Sequence, residues 1–516
     1  MLKPEAYHDR TRHSLERFAA GPETLDWDSQ PNPFRVFEGA SLTPLPFDFS
    51  LDHIAFDDLV RPGKIPALPL NLTTVSALLR FTFGLAAWKE FGPDRWSLRC
   101  SPSSGALFPT EAYAITAHIP GIDDGVHHYR PLDHALEQRC VGHWSDQASQ
   151  IWIGLSSVHW REAWKYGERA FRYCQLDVGH NLAALRYAAA LLGWSAHVVD
   201  MDATALSGLL GLDRAQDFLK AEGEEADILV QIAAPPSVPN FKAQAWSGTA
   251  NLLDRHPMYR WPVIDEVAQA THKRLPLEQS PPLVINDALV PATVVSATSV
   301  LLNRRSAQRF KPGKMMTTDH FHRILDALLT RPCAPWDVWD FTPRVHPVFF
   351  LHRVEGYDSG VYILVRSPDA EASLRQKLAE QFVWAKAHPT LPLYKLIEAD
   401  SRAVMRKLSC HQAIASDGCL TLGMLAEFDT LVASDPWRYR HLFWEAGMIG
   451  QSLYLEAEAG GLRGTGIGCY FDDDFHQIIG LAPGQFKSLY HFTIGDPVID
   501  DRIATLPPYN HLKDRL

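Results

Sequence analysis

A chain of 516 residues is longer than one hydrophobic core usually supports, so two domains of near 250 residues are expected. Its hydrophobic content of 46% is ordinary for a globular protein, and a net charge of −11 argues against the clustered cationic surface that nucleic-acid backbones require. Seven cysteines, odd in number and scattered, make neither a disulfide framework nor a zinc pattern, so reduced thiols in a reducing compartment are expected.

Met1 to His8 lacks the apolar core of a secretory signal, and no apolar run is long enough to span a bilayer. A cytoplasmic protein with no membrane or nucleic-acid partner is the expectation. Ser101-Pro102-Ser103-Ser104-Gly105-Ala106 is a turn of small residues with hydroxyls and free amides. Such a turn lets backbone approach a flat ring, although an ordinary loop has the same composition. An alternating strand, Ala112 to Ala117, follows. Trp160 to Tyr173 crowds Arg, Lys and Tyr against large aromatics. A partly buried Lys165 beside cations would have a lowered pKa suited to proton transfer; the plainer alternative is an amphipathic helix with snorkelling basic residues. Asn181 to Leu192 is apolar at helical period and stops at Gly193.

Ala234 to Pro291, rich in proline and polar residues, reads as a linker, with Trp246, Tyr259 and Trp261 suggesting that parts of it pack on a domain. The divisions drawn are residues 1–240, a linker at 241–290, and residues 291–516. In the second half, Arg304-Arg305-Ser306 precedes a helix expected to begin near Thr317. Two guanidinium groups and a hydroxyl suit a phosphate monoester; a solvated basic turn is the alternative. Cys410, His411 and Cys419 read as core or interface residues. Ile449 to Ala459 is a second apolar helix, followed by Gly464-Thr465-Gly466-Ile467-Gly468. Because that glycine run follows a helix and enters a strand, it does not fit the dinucleotide fingerprint, and a loop making a close approach to a cofactor is the better reading, with a plain structural turn as the alternative.

The two halves repeat one plan. Arg172, Gly179 and Gly193 are spaced by 7 and 14 residues, and Arg440, Gly447 and Gly461 reproduce both spacings. Each helix runs into an apolar strand, and the halves close on similar edges, Ile228 to Ala233 and Leu489 to Ile494. Gly125 to Tyr129 similarly resembles Gly360 to Ile363. Matching Pro62-Gly63-Lys64 to Pro312-Gly313-Lys314 sets Ile54, Ala55 and Phe56 opposite Arg304, Arg305 and Ser306, so only one half could grip a phosphate.

These motifs resemble the flavin-dependent nitroreductase superfamily, and within it the SagB-type azoline dehydrogenases in a tandem form. The resemblance rests on Tyr7-His8 to His13-Ser14, Ser101 to Ala106, Pro109 to Tyr113, Trp164 to Ala170, Asp177-x-Gly179-His180, Arg304 to Phe310, Gly466 to Gly468 and Tyr490 to Pro497. It implies an α+β fold of two tandem domains, each a mixed sheet flanked by helices, meeting as an intrachain pseudo-dimer. It implies one FMN per chain, its phosphate held by Arg304, Arg305, Ser306 and Arg502, with Gly466, Ile467 and Gly468 beside the flavin. Pro102, Ser103, Ser104 and Gly105 would reach it from the other half. Lys165 and Tyr166 match the family's catalytic pair, Lys165 as base or as a cation lowering the proton affinity of Tyr166. No metal is implied. The expected activity is dehydrogenation of an azoline in a ribosomal peptide or other natural product, with oxygen reoxidising the flavin and other biosynthetic enzymes as partners. An NAD(P)H-dependent nitro or quinone reductase and a flavin-free scaffold are the alternatives.

Overall fold

The computed structural model of the protein describes residues 2–145, 147–273 and 293–515. Two large sheets carry the chain. In the first, neighbouring strands run Phe241–Trp246, Ala135–Trp144, Gly125–Arg130, Thr110–Ala117, Gln150–Ser157, Glu225–Ile232 and Ala196–Val199. The second runs Ala385–Lys386, Leu393–Glu398, Gly360–Leu364, Val345–Leu351, Leu420–Glu427, Phe486–Gly495 and Arg463–Ile467. Apart from the first edge strand of each sheet, Phe241–Trp246 and Ala385–Lys386, the order of chain segments across the two sheets is the same, which makes the duplication visible as topology. Pairing within both sheets is antiparallel, a narrower pattern than a mixed sheet. Glu225–Ile232 and Phe486–Gly495 are interior strands, not edges; the short strands after each long helix take the edge positions. Thr110–Ala117 and Val345–Leu351 are buried at every residue, since helices and loops cover both faces.

The helices of the repeat are longer than their apolar stretches. They span Ala170–Leu191 and Arg438–Ala459, and both are buried along nearly their whole length. They pack on each other at the centre of the molecule. A Cβ on Gly179 would overlap the Trp444 carbonyl, and one on Gly447 would overlap the Leu176 carbonyl. The repeated glycines therefore mark the crossing point of the two halves. Gly193 and Gly461, which end the helices, have φ of +69° and +72°, the left-handed conformation that glycine adopts without steric cost.

The repeated arginines have matching roles. Arg172 Nε donates to Thr11 Oγ1 at 2.9 Å and Nη1 to Asp472 at 2.9 Å. Arg440 Nε donates to Thr271 Oγ1 at 3.0 Å and Nη1 to Asp227 at 2.9 Å. Thr11 and Thr271 each end a short helix, Pro4–Arg10 and Pro262–Ala270. Each arginine thus ties a long helix to a short one and to a carboxylate in the other half.

Part of the segment read as a linker has regular structure. Phe241–Trp246 joins the first sheet, Thr249–Ala250 pairs with Phe37–Glu38, and Trp246 packs over Gly211. Tyr259 and Trp261 stack with ring centroids 5.8 Å apart. Residues 274–290 of that segment lie outside the described residues.

The chain ends cross over. In the N-terminal arm, Arg12 pairs with Asp473, and the backbone N–H groups of His13 and Leu15 donate to Asp472 and Asp474. At the other end, Ala504–Leu506 pairs with Leu85–Phe91 of the first half, and the Tyr509 hydroxyl accepts from Leu85 N–H at 2.8 Å. No described helix is long and apolar enough to cross a membrane.

Candidate functional site

A cleft of about 430 Å³ opens between the halves. Its walls include Pro102, Ser103, Ser104, Gly105 and Tyr166 from the first half, and Arg304, Arg305, Ser306, Gly466, Ile467 and Gly468 from the second. Residues more than 300 positions apart in sequence share one cavity because the long helices cross directly behind it.

One end of the cleft is cationic. Arg304 caps the Ala297–Asn303 helix and is 3% exposed. Its Nε donates to the Cys100 carbonyl at 2.8 Å and its Nη2 to the Arg99 carbonyl at 3.0 Å, while Nη1 has no partner. Arg305 is spent on the carbonyls of Leu302, Arg304 and Ala86. Among the described residues neither arginine is paired with a carboxylate. Burial and the charge of Arg304 pull Arg305 down to about 10, and burial lowers Arg304 too. Lys89 and Arg463, which the sequence reading did not single out, also line this end. Lys89 donates to Thr505 Oγ1 at 2.6 Å and is lowered by burial, then by Arg305 and Arg463; Arg463 lies 3.7 Å from Glu458. Buried positive charge with so few counter-charges costs folding energy that a bound anion would offset.

Ser306 Oγ lies 2.8 Å from the Tyr454 hydroxyl, which accepts the Gly466 N–H at 2.9 Å. With Tyr454 donating to Ser306, the serine keeps its own proton for an acceptor in the cleft. The glycine run is a strand and not a loop: Gly464 and Gly466 lie in Arg463–Ile467, paired with Phe486–Gly495. A Cβ on Gly464, Gly466 or Gly468 would overlap Phe492, Tyr490 or Tyr173 respectively. Aromatic packing behind the cleft demands these glycines.

The opposite wall is the small-residue turn. Ser103 Oγ accepts the Phe108 N–H at 2.8 Å, and Gly105 has φ of +61°. A Cβ on Gly105 would lie 2.8 Å from the Tyr166 hydroxyl and 3.3 Å from Lys165 Nζ, so the heads of both side chains converge on this turn. Both come from the end of the His159–Tyr166 helix, which Gly167 breaks at φ +55° before the long helix starts. Burial lowers Lys165 against the opposing Glu162. The lowering comes from desolvation, not from neighbouring cations. Burial, Glu162, Tyr173 and Asp177 hold Tyr166 well above its usual value, which favours the protonated phenol over the phenolate a nearby cation would favour. The basic residues beside them do not snorkel: Arg161, Arg169 and Arg172 are buried and paired with Glu111 and Asp472.

Two buried carboxyls sit behind the pair. Glu162 is fully buried, and burial followed by Asp177 raises it. Asp177 lines the cleft, accepts the Ser104 N–H at 3.4 Å, and is raised by burial to about 7. His180, beside Tyr454 and Tyr490, is pushed down to about 3 by burial and then by Arg304, so it is neutral. In the sequence Asp177 and His180 carried only a motif match, and Glu162 and Tyr454 carried no signal beyond helical position.

Arg502 stands apart. Its guanidinium pairs with Asp500 at 2.7 Å, lies over Phe91, and is 72% exposed, outside the cleft wall. Ile54 and Phe56, at the positions matched to Arg304 and Ser306, are buried in the main core, Phe56 against Tyr187.

Residues 301–496 match the nitroreductase family model. A nitroreductase-like protein of Methanocaldococcus jannaschii is 29% identical over 124 residues, covering 22% of this chain and 59% of that protein. The chain therefore spans about three-fifths of that relative's length. The crystal structure of a nitroreductase-like protein from Anabaena variabilis superposes with a TM-score of 0.69 at 21% identity, covering 96% of this chain and 99% of that one. That likeness extends the fold over both halves.

Proposed function

We propose that this chain is an FMN-dependent oxidoreductase that dehydrogenates an azoline, or a similarly oxidisable ring, in a peptide or other natural product, with one FMN per chain. The observation that carries the reading is the cleft itself, which joins an anion-poor arginine end from one half to Tyr166 and the small-residue turn of the other, with the Lys165 head beside that turn. FMN fits these walls: the unpartnered Nη1 of Arg304 and the free proton of Ser306 suit its phosphate, and a turn without bulk at Gly105 suits a flat ring. Bound there, FMN supplies a ring that accepts a hydride and passes electrons to an acceptor such as oxygen.

The chain's own residues supply the remainder. Arg304, Arg305 and Ser306 hold the phosphate end, with Lys89 and Arg463 adding charge. Lys165, its proton affinity lowered by burial, takes the acidic ring C–H proton at Nζ. Tyr166 keeps its proton and donates a hydrogen bond to a heteroatom of the substrate ring.

The test is the visible spectrum and the flavin released per chain. One FMN per chain, lost in Arg304→Ala/Ser306→Ala and kept in Lys165→Ala, is expected, with azoline peptides then turned over by the native chain alone. Two FMN per chain, or none after reconstitution, overturns the cofactor assignment. Rapid bleaching by NADPH with no azoline turnover would replace the dehydrogenase reading by that of a nicotinamide-fed reductase.

A further inference from the structure

Cys410 and Cys469, 59 residues apart in sequence, face each other with their sulfurs 2.6 Å apart. Cys469 belongs to the cleft wall and follows directly on the glycine strand; Cys410 lies in the turn after the Arg402–Leu408 helix. Both are partly exposed, while the other five cysteines are buried. Cys410 and His411 have φ of +52° and +61°, a left-handed backbone that few side chains adopt and that here turns the Cys410 sulfur toward its partner.

The pair has a polar setting. His13 of the N-terminal arm accepts the Ala19 N–H at Nδ1, at 2.9 Å, so its proton sits on the other ring nitrogen. The adjoining Cys410, then His13 and Arg169, favour the thiolate at Cys469 against burial, and Cys410 is raised in consequence. Burial pushes the Cys140, Cys333 and Cys419 thiols up to about 11 and raises Cys174 as well. A thiolate, not a thiol, is the nucleophile toward oxidants.

We propose that Cys410 and Cys469 form a peroxide-reactive dithiol on the wall of the cleft. The Cys469 thiolate attacks one oxygen of hydrogen peroxide, breaking the O–O bond to give Cys469 sulfenic acid and hydroxide. The Cys410 thiol then attacks the sulfenic sulfur; the S–S bond forms, the S–O bond breaks, and water leaves. Peroxide is reduced to water and the two thiols are oxidised by two electrons. A peroxide source inside the cleft rests on the proposed oxidase function, since oxygen that takes two electrons there leaves as peroxide. The thiol chemistry itself does not depend on that reading.

The experiment uses the full chain, reduced and freed of reductant, titrated with hydrogen peroxide with and without FMN. Thiols are counted under denaturing conditions and peptides are mapped by mass spectrometry. Loss of two thiols per chain at low peroxide, one cross-linked peptide pair containing Cys410 and Cys469, and recovery by dithiothreitol are expected. In Cys410→Ser the sulfenic acid has no resolving thiol, so Cys469 should gain two oxygens irreversibly; Cys469→Ser should leave Cys410 unreacted at the same dose. Cross-links through other cysteines, or a native chain that keeps seven thiols where Cys410→Ser is also unreacted, would overturn the proposal. The added peroxide makes the result independent of flavin; failure of the cofactor assignment appears separately in the flavin content.

Discussion

Lys165 and Tyr166 are adjacent in sequence and depart in opposite directions in proton affinity, although burial acts on both. Burial disfavours charge, so it lowers an ammonium and raises a phenol. A base must be unprotonated, so kcat/KM for azoline oxidation is expected to rise with pH to a plateau, with a midpoint below the usual lysine value of 10.5. Lys165→Ala should abolish that limb and cost about 10²- to 10⁴-fold in rate while retaining FMN. Glu162→Gln removes the carboxylate that holds Lys165 up, so the midpoint should move lower still; a midpoint moving higher would exclude Glu162 as the opposing charge. The sequence made this pair legible because the two residues are consecutive and sit among aromatics. It could not show that the opposing groups are Glu162 and Asp177, since a carboxyl among helical residues reads as a solvated face until burial is known. Arg502 is the opposite case: its motif position suggested the phosphate, but in the structure Asp500, two residues away, takes its guanidinium.

At the scale of elements, the glycine spacing was the informative part of the sequence, though its meaning changed with position. Gly179 and Gly447 lie where two long helices cross with no room for a side chain, while Gly464, Gly466 and Gly468 make room for rings behind the cleft. Only packing distinguishes these uses. Gly179→Ala and Gly447→Ala are each expected to lose about 1 to 3 kcal/mol in denaturant unfolding, because backbone must shift on both sides of the crossing. Gly208→Ala is the control: it sits in the Ala203–Leu210 helix with its nearest neighbour 3.6 Å away, so it should gain about 0.5 to 1 kcal/mol from helix propensity. A gain like the control's in Gly179→Ala and Gly447→Ala would mean that the crossing is loose. The helix ends toward Gly193 and Gly461 were legible from apolar period, but the N-terminal turns were not. Arg172, Asp177 and Arg440 interrupt the apolar pattern there, yet all are buried, the two arginines through ion pairs that connect distant segments.

For the molecule as a whole, duplication was readable from several landmarks in the same order, and the matching order of six strands in each sheet extends it to topology. What spacing could not give is the exchange of arms, because neither chain end carries a pattern that names its partner. The C-terminal strand covers an edge of the Leu85–Phe91 hairpin, and Thr505 within it borders the cleft. Truncation after Ile503 is expected to bare that edge, so the shortened chain should self-associate in size-exclusion chromatography and melt at a lower temperature. An unchanged elution volume and melting point would mean that the tail contributes little.

The crossed arms also fix an order of events during synthesis. Arg12 and His13 leave the ribosome some 460 residues ahead of their partners Asp472 and Asp473. At about 5 to 20 residues per second, the first arm waits on the order of tens of seconds for the carboxylates that receive it. Through that interval the helix face that later packs on Arg438–Ala459 has no partner, so chaperone binding to nascent chains is expected to be greatest before the second half is made.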